Sequence, residues 1–311
     1  MLKYKKDLKE WLMDTVFLKR FLRELEISDA DASVIFETLE KIQKNQKAYE
    51  IFSAVINPYI ENAELDYKSL KDITLPALYE IIDAHEYEIN LAVLFSLAPY
   101  SEHFYLEKGF SRKIWINSLL DLKWKMMDCI DINGFVGIRS ASLPWFERWF
   151  FGTRYAFHRL QFEINPSKRS YKSEKFDIKV GDPLISVHIP STRNGIKFDK
   201  ENRDISYRQA KEYYSKLLGI ENPVFSCASW LLAPIHKEIL PESSNIRSFG
   251  EEFEIDIANP NSWHLTMLFG TEKLPETKDL PEKTSIQRAY KKFMLEGGAP
   301  QSALGYRYFE E

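Results

Sequence analysis

The hydrophobic period changes once along this chain, and that change limits what it can fold into. From Leu8 to about Cys129 apolar side chains return at three- and four-residue steps. Trp11, Leu12, Phe17, Leu18, Phe21, Leu22 and Leu25 mark one face, with lysines and glutamates on the other. Ser28, followed by Asp29 and Asp31, predicts a capped second helix through Ile35, Leu39 and Ile42, because first-turn acids suit the helix dipole. Further helices are expected around Leu75 to His85, Tyr87 to Leu97 and Ser111 to Ile130. The pattern stops at NGFVG, where Asn133 and Gly134 supply turn chemistry. An all-helical domain is therefore expected over residues 1–136 and a second domain over 137–311.

Beyond that point the runs are strand-like. GTRYAFHRLQFEI (Gly152 to Ile164) is rich in aromatic and β-branched residues and reads as one strand, and DPLISVHIPS (Asp182 to Ser191) as another. ISYRQAKEYYSKLLG (Ile205 to Gly219) predicts a helix, capped by Asp204 or Ser206 and stopped by Gly219, before a strand in PVFSCASWLL. Such a strand, helix, strand unit normally makes a right-handed crossover between parallel strands, gathering loops and a helix N-terminus at one edge. GEEFEIDIA, SWHLTMLFG and LGYRYFE predict further strands, with a helix over Thr284 to Gly298 before the last. The fold class is α+β, a helical domain followed by a mixed sheet.

Composition removes several function classes. The net charge of −4 provides no basic field for phosphate backbones, so nucleic acid is not an expected partner. No apolar run is long enough to span a bilayer and the N-terminus lacks a signal-peptide core, so the expected location is cytoplasmic, with no membrane partner. Cys129 and Cys227 follow no paired spacing; neither a disulfide framework nor a metal site is expected, and both read as buried thiols.

Five short motifs carry a resemblance. They are G-x-x-Y-x-x-x-R-L-Q-F-E at Gly152 to Glu163, HIP at His188 to Pro190, C-x-S-W-L-L-x-P at Cys227 to Pro234, LPxxSNI at Leu240 to Ile246, and TSxQRA at Thr284 to Ala289. In these the chain resembles bacterial acyltransferase-domain-containing proteins, in which a helical N-acyltransferase domain precedes a GNAT-like domain. The resemblance implies that an acyl-CoA such as acetyl-CoA lies where two central parallel strands, ISVHIPS and PVFSCASWLL, splay apart. The splay would expose backbone groups to the pantetheine amides, and the following helix would point its N-terminus at pyrophosphate. The superfamily's glycine-rich phosphate loop has no counterpart here. The corresponding TRNGIKFDKENRD carries only Gly195, which leaves Arg193, Lys197, Lys200 and Arg203 as sources of positive charge.

On that mapping Ser191, Ser206, Tyr207 and Arg208 are the candidate cofactor-binding residues, and His188, Ser229 and Asn245 the candidate catalytic ones. His188 can serve as a general base or simply bond a neighbouring carbonyl. Ser229 lacks the elbow of a serine nucleophile and is expected to bond a ligand amide. Asn245 follows a strand end as an orienting contact or a helix-start residue, and His264 and Tyr306 are placed on late strands. The expected function is acyl transfer from a CoA thioester to a small-molecule or peptide amine or hydroxyl by direct attack, needing a base but no enzyme nucleophile. The alternatives are a non-catalytic acyl-CoA or small-ligand binding module with a partner-binding helical domain, and a hydrolase.

Overall fold

The structure, a computed structural model, describes residues 15–191 and 195–309; the expected positions Leu8, Trp11, Leu12 and Arg193 lie outside them. The chain divides into a compact unit ending at Tyr155 and another beginning at Ala156. The first is helical: α1 (Thr15–Glu24), α2 (Asp29–Lys44), α3 (Gln46–Asn62), α4 (Leu75–Ile81), α5 (Glu86–Leu97), α6 (Glu102–Glu107), α7 (Arg112–Asn133) and α8 (Leu143–Phe150). Ser28 caps α2 as expected, its hydroxyl accepting from Asp31 N at 3.1 Å. In α5 every side chain from Ile89 to Leu97 is buried, so this helix is the centre around which amphipathic ones gather. Phe21 of α1 and Trp115 of α7 meet in that core, their ring centroids 5.3 Å apart.

NGFVG stops a helix and does not end the unit. Gly134 closes α7 in the left-handed region at φ 80°, and α8 adds another helix before the division at Tyr155. Pro144 in the first turn of α8 suits a helix start, where its missing N–H costs nothing. The expected boundary at residue 136 therefore falls too early.

The second unit holds a six-stranded mixed sheet in the order β1 (Arg154–Phe157), β2 (Leu160–Pro166), β5 (Pro183–His188), β6 (Phe225–Ser229), β8 (Gln301–Arg307), β7 (Glu254–Pro260). A small hairpin, β3 (Tyr171–Lys172) with β4 (Asp177–Ile178), stands apart from it. β5 and β6 pair in parallel, and each has an antiparallel neighbour on its other side, β2 and β8. The crossover between them is α9 (Lys200–Leu218), which lies on one sheet face. There the Tyr207 ring stands edge-on to Phe162 and Phe225, and Tyr214 donates to the Phe162 carbonyl at 3.0 Å.

Three expectations need correction. Gly152 to Ile164 is a hairpin: a two-residue turn, with His158 in the left-handed region at φ 54°, separates β1 from β2. SWHLTMLFG is not a strand but carries α12 (Leu265–Phe269), after α10 (His236–Ile239) and α11 (Asn245–Gly250). Its Leu265 and Phe269 sit four residues apart and join one apolar cluster with Ala233, Ile235, Leu280 and Tyr290, an i,i+4 pairing that suits a helical turn. α9 also begins earlier than expected. Asp199, not Asp204 or Ser206, is its cap and accepts from Asn202 N at 3.1 Å. The last helix, α13 (Ser285–Leu295), forms as expected, with Thr284 and Gln287 in a reciprocal capping box. Among the described residues no helix is long and apolar enough to cross a membrane, and no group of three or more metal-ligating side chains occurs.

Candidate functional site

The sheet opens at its middle. The parallel register of β5 and β6 is Ile185 with Phe225 and Ser186 with Ser226, and it ends there. Beyond it β5 still pairs with β2, out to His188 opposite Gln161, while β6 still pairs with β8, out to Ser229 opposite Ala303. Each strand is thus held on its outer side and released on its inner one. The inner edges at Val187, and at Cys227 and Ala228, can present backbone donors and acceptors to a ligand lying between them.

His188 stands at this opening. Its Nε2 donates to Glu163 Oε1 across the β2–β5 pair at 2.9 Å, with Glu163 almost buried and His188 about one quarter exposed. Asn165 Nδ2 bonds the same Glu163 oxygen at 3.1 Å and Ser186 Oγ at 3.0 Å, and Ser186 and Ser226 hydroxyls lie 3.4 Å apart. A polar row therefore crosses three strands on one sheet face and ends where the ladder opens. A carboxylate beside Nε2 fixes that nitrogen as the proton-bearing one and stabilises the imidazolium formed when the other nitrogen takes a proton.

The other candidate catalytic residues are placed differently. Ser229 ends β6 and its hydroxyl accepts from Leu231 N at 3.1 Å, capping the turn Trp230–Leu232. Asn245 is the exposed first residue of α11, behind the cap Ser244, and its carbonyl accepts from Arg203 at 3.5 Å. Neither is bonded to His188. Cys227 is fully buried against the α9 side of the sheet, and burial pushes its thiol well above the ordinary range, which excludes a ready thiolate. His264 lies in the helical segment, buried and flat against the Trp230 ring, and Tyr306 packs with Ile178 and Leu184.

Around the start of α9 the early cap changes the assignments. Ser206 lies in the second turn, buried, its hydroxyl donating to the Asn202 carbonyl at 2.8 Å and accepting from Arg159 N at 3.0 Å. Tyr207 is sealed in the core. Neither reaches the helix end, so their expected role at phosphates does not survive. Arg208 is exposed more than two turns into the helix, and Ser191 is exposed beyond the end of β5. Arg203 is also withdrawn from phosphate binding. Completely buried, it donates to Glu252 Oε1 at 3.0 and 2.6 Å, to the Phe198 carbonyl at 2.8 Å and to Ser248 at 3.0 Å.

Two residues of the quoted R-L-Q-F-E motif acquire places that the sequence reading left unassigned, Glu163 beside His188 and Arg159 in the β1–β2 turn. A signal was present. Gln161, Glu163 and Asn165 alternate with Leu160, Phe162 and Ile164, a polar stripe on one face of a strand that otherwise reads as core.

A family model described as an N-acyltransferase N-terminal domain matches residues 16–152, and one described as a GNAT-like C-terminal domain matches residues 155–307. The chain belongs to the family that joins these two domains. Among curated proteins none matches it significantly. Solved structures do share its fold. An acyltransferase in complex with decanoyl-CoA and teicoplanin is 19% identical, with a TM-score of 0.71 over 94% of this chain and 87% of that one. An acyltransferase with CoA and 10C-teicoplanin is 18% identical, with the same score and coverage. A third, with decanoyl-CoA, is 15% identical, with a TM-score of 0.60 over 94% of this chain and 99% of that one. At these identities the likeness establishes the fold.

Proposed function

We propose that this protein transfers an acyl group from an acyl-CoA thioester to an amine or hydroxyl of a small molecule. The observation that carries the reading is the opened β5–β6 ladder with the His188–Glu163 pair at its edge. An extended donor such as pantetheine, with two amides, can lie along the strand edges beyond the end of the parallel register as a short additional strand would. Both domain types are those of acyltransferases, and a similar acyltransferase was crystallised with decanoyl-CoA and teicoplanin together, which favours a small-molecule acceptor.

In this reading the acceptor's lone pair attacks the thioester carbonyl and forms the new C–N or C–O bond. His188 takes the acceptor's proton while Glu163 stabilises the resulting imidazolium. Collapse of the tetrahedral adduct breaks the C–S bond, and the departing thiolate takes up the proton held by the His188 imidazolium, so that CoA leaves as the free thiol and the base is restored. No enzyme nucleophile is required, in keeping with the buried Cys227 thiol and the capping role of the Ser229 hydroxyl.

The test is release of free thiol from acetyl-, octanoyl- and decanoyl-CoA across a panel of amines and alcohols, with acylated product confirmed by mass. Acceptor-dependent release supports the reading. Acyl-CoA binding without turnover of any pair would replace it with a binding module, and acceptor-independent release with a hydrolase.

A further inference from the structure

Arg159 is a buried cation with almost nothing to balance it. The residue is 8% exposed, yet among the described residues its guanidinium makes one hydrogen bond, from Nη1 to the Pro190 carbonyl at 2.9 Å. Its Nε is buried without a partner among the described residues. Among the described residues no carboxylate pairs with it. The Arg203 guanidinium, close by, shows what compensation looks like in the same region: Glu252, Ser248 and the Phe198 carbonyl take up its donors. Both guanidinium groups lie over the Phe198 ring, at 5.2 Å for Arg159 and 5.0 Å for Arg203. Burial, and secondarily the like charge of Arg203, push the Arg159 guanidinium down to about 10, so it still carries its charge near neutral pH. A charge withdrawn from water without a counter-ion is costly, and the cost is recovered when an anion docks.

The surroundings are built to hold this group still. The turn that carries it is pinned to the first two turns of α9 twice, by His158 Nε2 donating to Asn202 Oδ1 at 2.6 Å and by Arg159 N donating to Ser206 Oγ at 3.0 Å. The guanidinium sits between Pro190, two residues beyond His188 on the strand that borders the opening, and Phe198, which precedes the α9 cap. The acid that caps the helix is committed elsewhere, since Asp199 Oδ1 accepts from the N and Nδ2 of Asn202. That cap also occupies a helix-end amide that an anion would otherwise use.

We infer that Arg159 is the seat of a phosphate group of the donor, held by the guanidinium at the end of the opened strand pair. The inference rests on the acyl-CoA reading for the identity of the ligand, and on the uncompensated guanidinium for its chemistry. A planar guanidinium presents paired donors that match two phosphate oxygens, which a lysine ammonium cannot reproduce.

The test measures binding of inorganic pyrophosphate, CoA, dephospho-CoA and pantetheine to the wild-type chain and to Arg159→Gln and Arg159→Lys. Glutamine keeps a donor for the Pro190 carbonyl and removes the charge. Folding of each variant is verified by a cooperative thermal transition, and the lysine variant provides the reading if the glutamine variant does not fold. The expected result is that Arg159→Gln weakens pyrophosphate and CoA by about tenfold or more, Arg159→Lys less, and neither changes pantetheine affinity. Loss of the difference between CoA and dephospho-CoA in the variant would identify the 3′-phosphate as the gripped group; a retained difference identifies the diphosphate. Folded variants that bind CoA as tightly as wild type overturn the assignment while leaving the acyl-CoA reading intact. Arg159-dependent binding of pyrophosphate with no binding of any CoA species does the reverse.

Discussion

Glu163 Oε1 and His188 Nε2 lie 2.9 Å apart on neighbouring antiparallel strands, one register step off the direct cross-strand pairs Glu163–Ser186 and Gln161–His188. A diagonal pair on one sheet face is within reach of long side chains. It falls at the last paired residue of β5, just after the strand's parallel partner has let go. Holding a base at a ladder end places it beside whatever fills the gap, on backbone that is fixed from the other side.

If His188 takes the acceptor's proton, His188→Gln should lower the turnover of acyl-CoA with a good acceptor by about a hundredfold or more and leave CoA affinity nearly unchanged. Glu163→Gln should have a smaller effect, about tenfold, because the imidazolium loses its carboxylate neighbour. Parallel losses of turnover and thermal stability in both variants would make this pair structural.

Cys227 should be dispensable for the chemistry. With its thiol buried and far from ionising, Cys227→Ala should keep acceptor-dependent CoA release within about twofold, as no covalent acyl-enzyme is involved. Trapping of an acylated Cys227 by mass spectrometry during turnover would refute that.

Arg203 is where the second unit is most exposed to damage. Its guanidinium and that of Arg307 share Glu252, and Arg307 also bonds Asp204 at 3.3 Å, so α9 is tied to the segment before β7 and to β8. Arg203→Met should cost about 3–5 kcal/mol, since it strands part of a buried carboxylate's bonding. The check is the denaturant midpoint at unchanged slope. A loss below about 1 kcal/mol would show that Arg307 alone satisfies Glu252.

How much of this was legible varies by element. Ser28, Thr284 and Gly219 punctuate their helices in agreement with local chemistry, and the β5–α9–β6 crossover followed from strand and helix patterns alone. The start of α9 was not legible, because KENRD is polar throughout and gives no apolar period; only the folded cap distinguishes Asp199 from Asp204. The β1–β2 turn was hidden for a similar reason. His158 and Arg159 are not turn residues by composition, and His158 accepts a left-handed backbone while its ring bonds Asn202 in α9. At the site, His188 was visible as a polar residue on an apolar strand. Its partner Glu163 and the uncompensated Arg159 depend on register and on three-dimensional charge balance, which spacing along the chain does not reveal.

His236 and His264 make the protein's stability depend on pH. His264 lies flat on Trp230, ring centroids 4.9 Å apart, and His236 bonds the Tyr290 hydroxyl at 2.7 Å inside the same cluster. Burial holds both rings neutral, pushing each from 6.5 down to about 4; His264 is further lowered by His236, while the nearby Leu231 backbone partly offsets the effect at His236. In the unfolded chain the same rings take protons near 6.5, so between that pH and about 4 the unfolded state binds more protons than the folded one. The stabilisation is therefore complete above about 6.5, drains away as pH falls through that window, and changes little more below it. The size is on the order of 3 kcal/mol per ring at most, and the two rings are not additive because each lies in the other's field. Melting temperatures measured from pH 7 to pH 4 should fall steadily for the wild-type chain and less steeply for His264→Phe, which keeps an aromatic ring against Trp230 and removes one titrating group. Parallel curves for the two proteins would mean that the acid sensitivity lies in other groups.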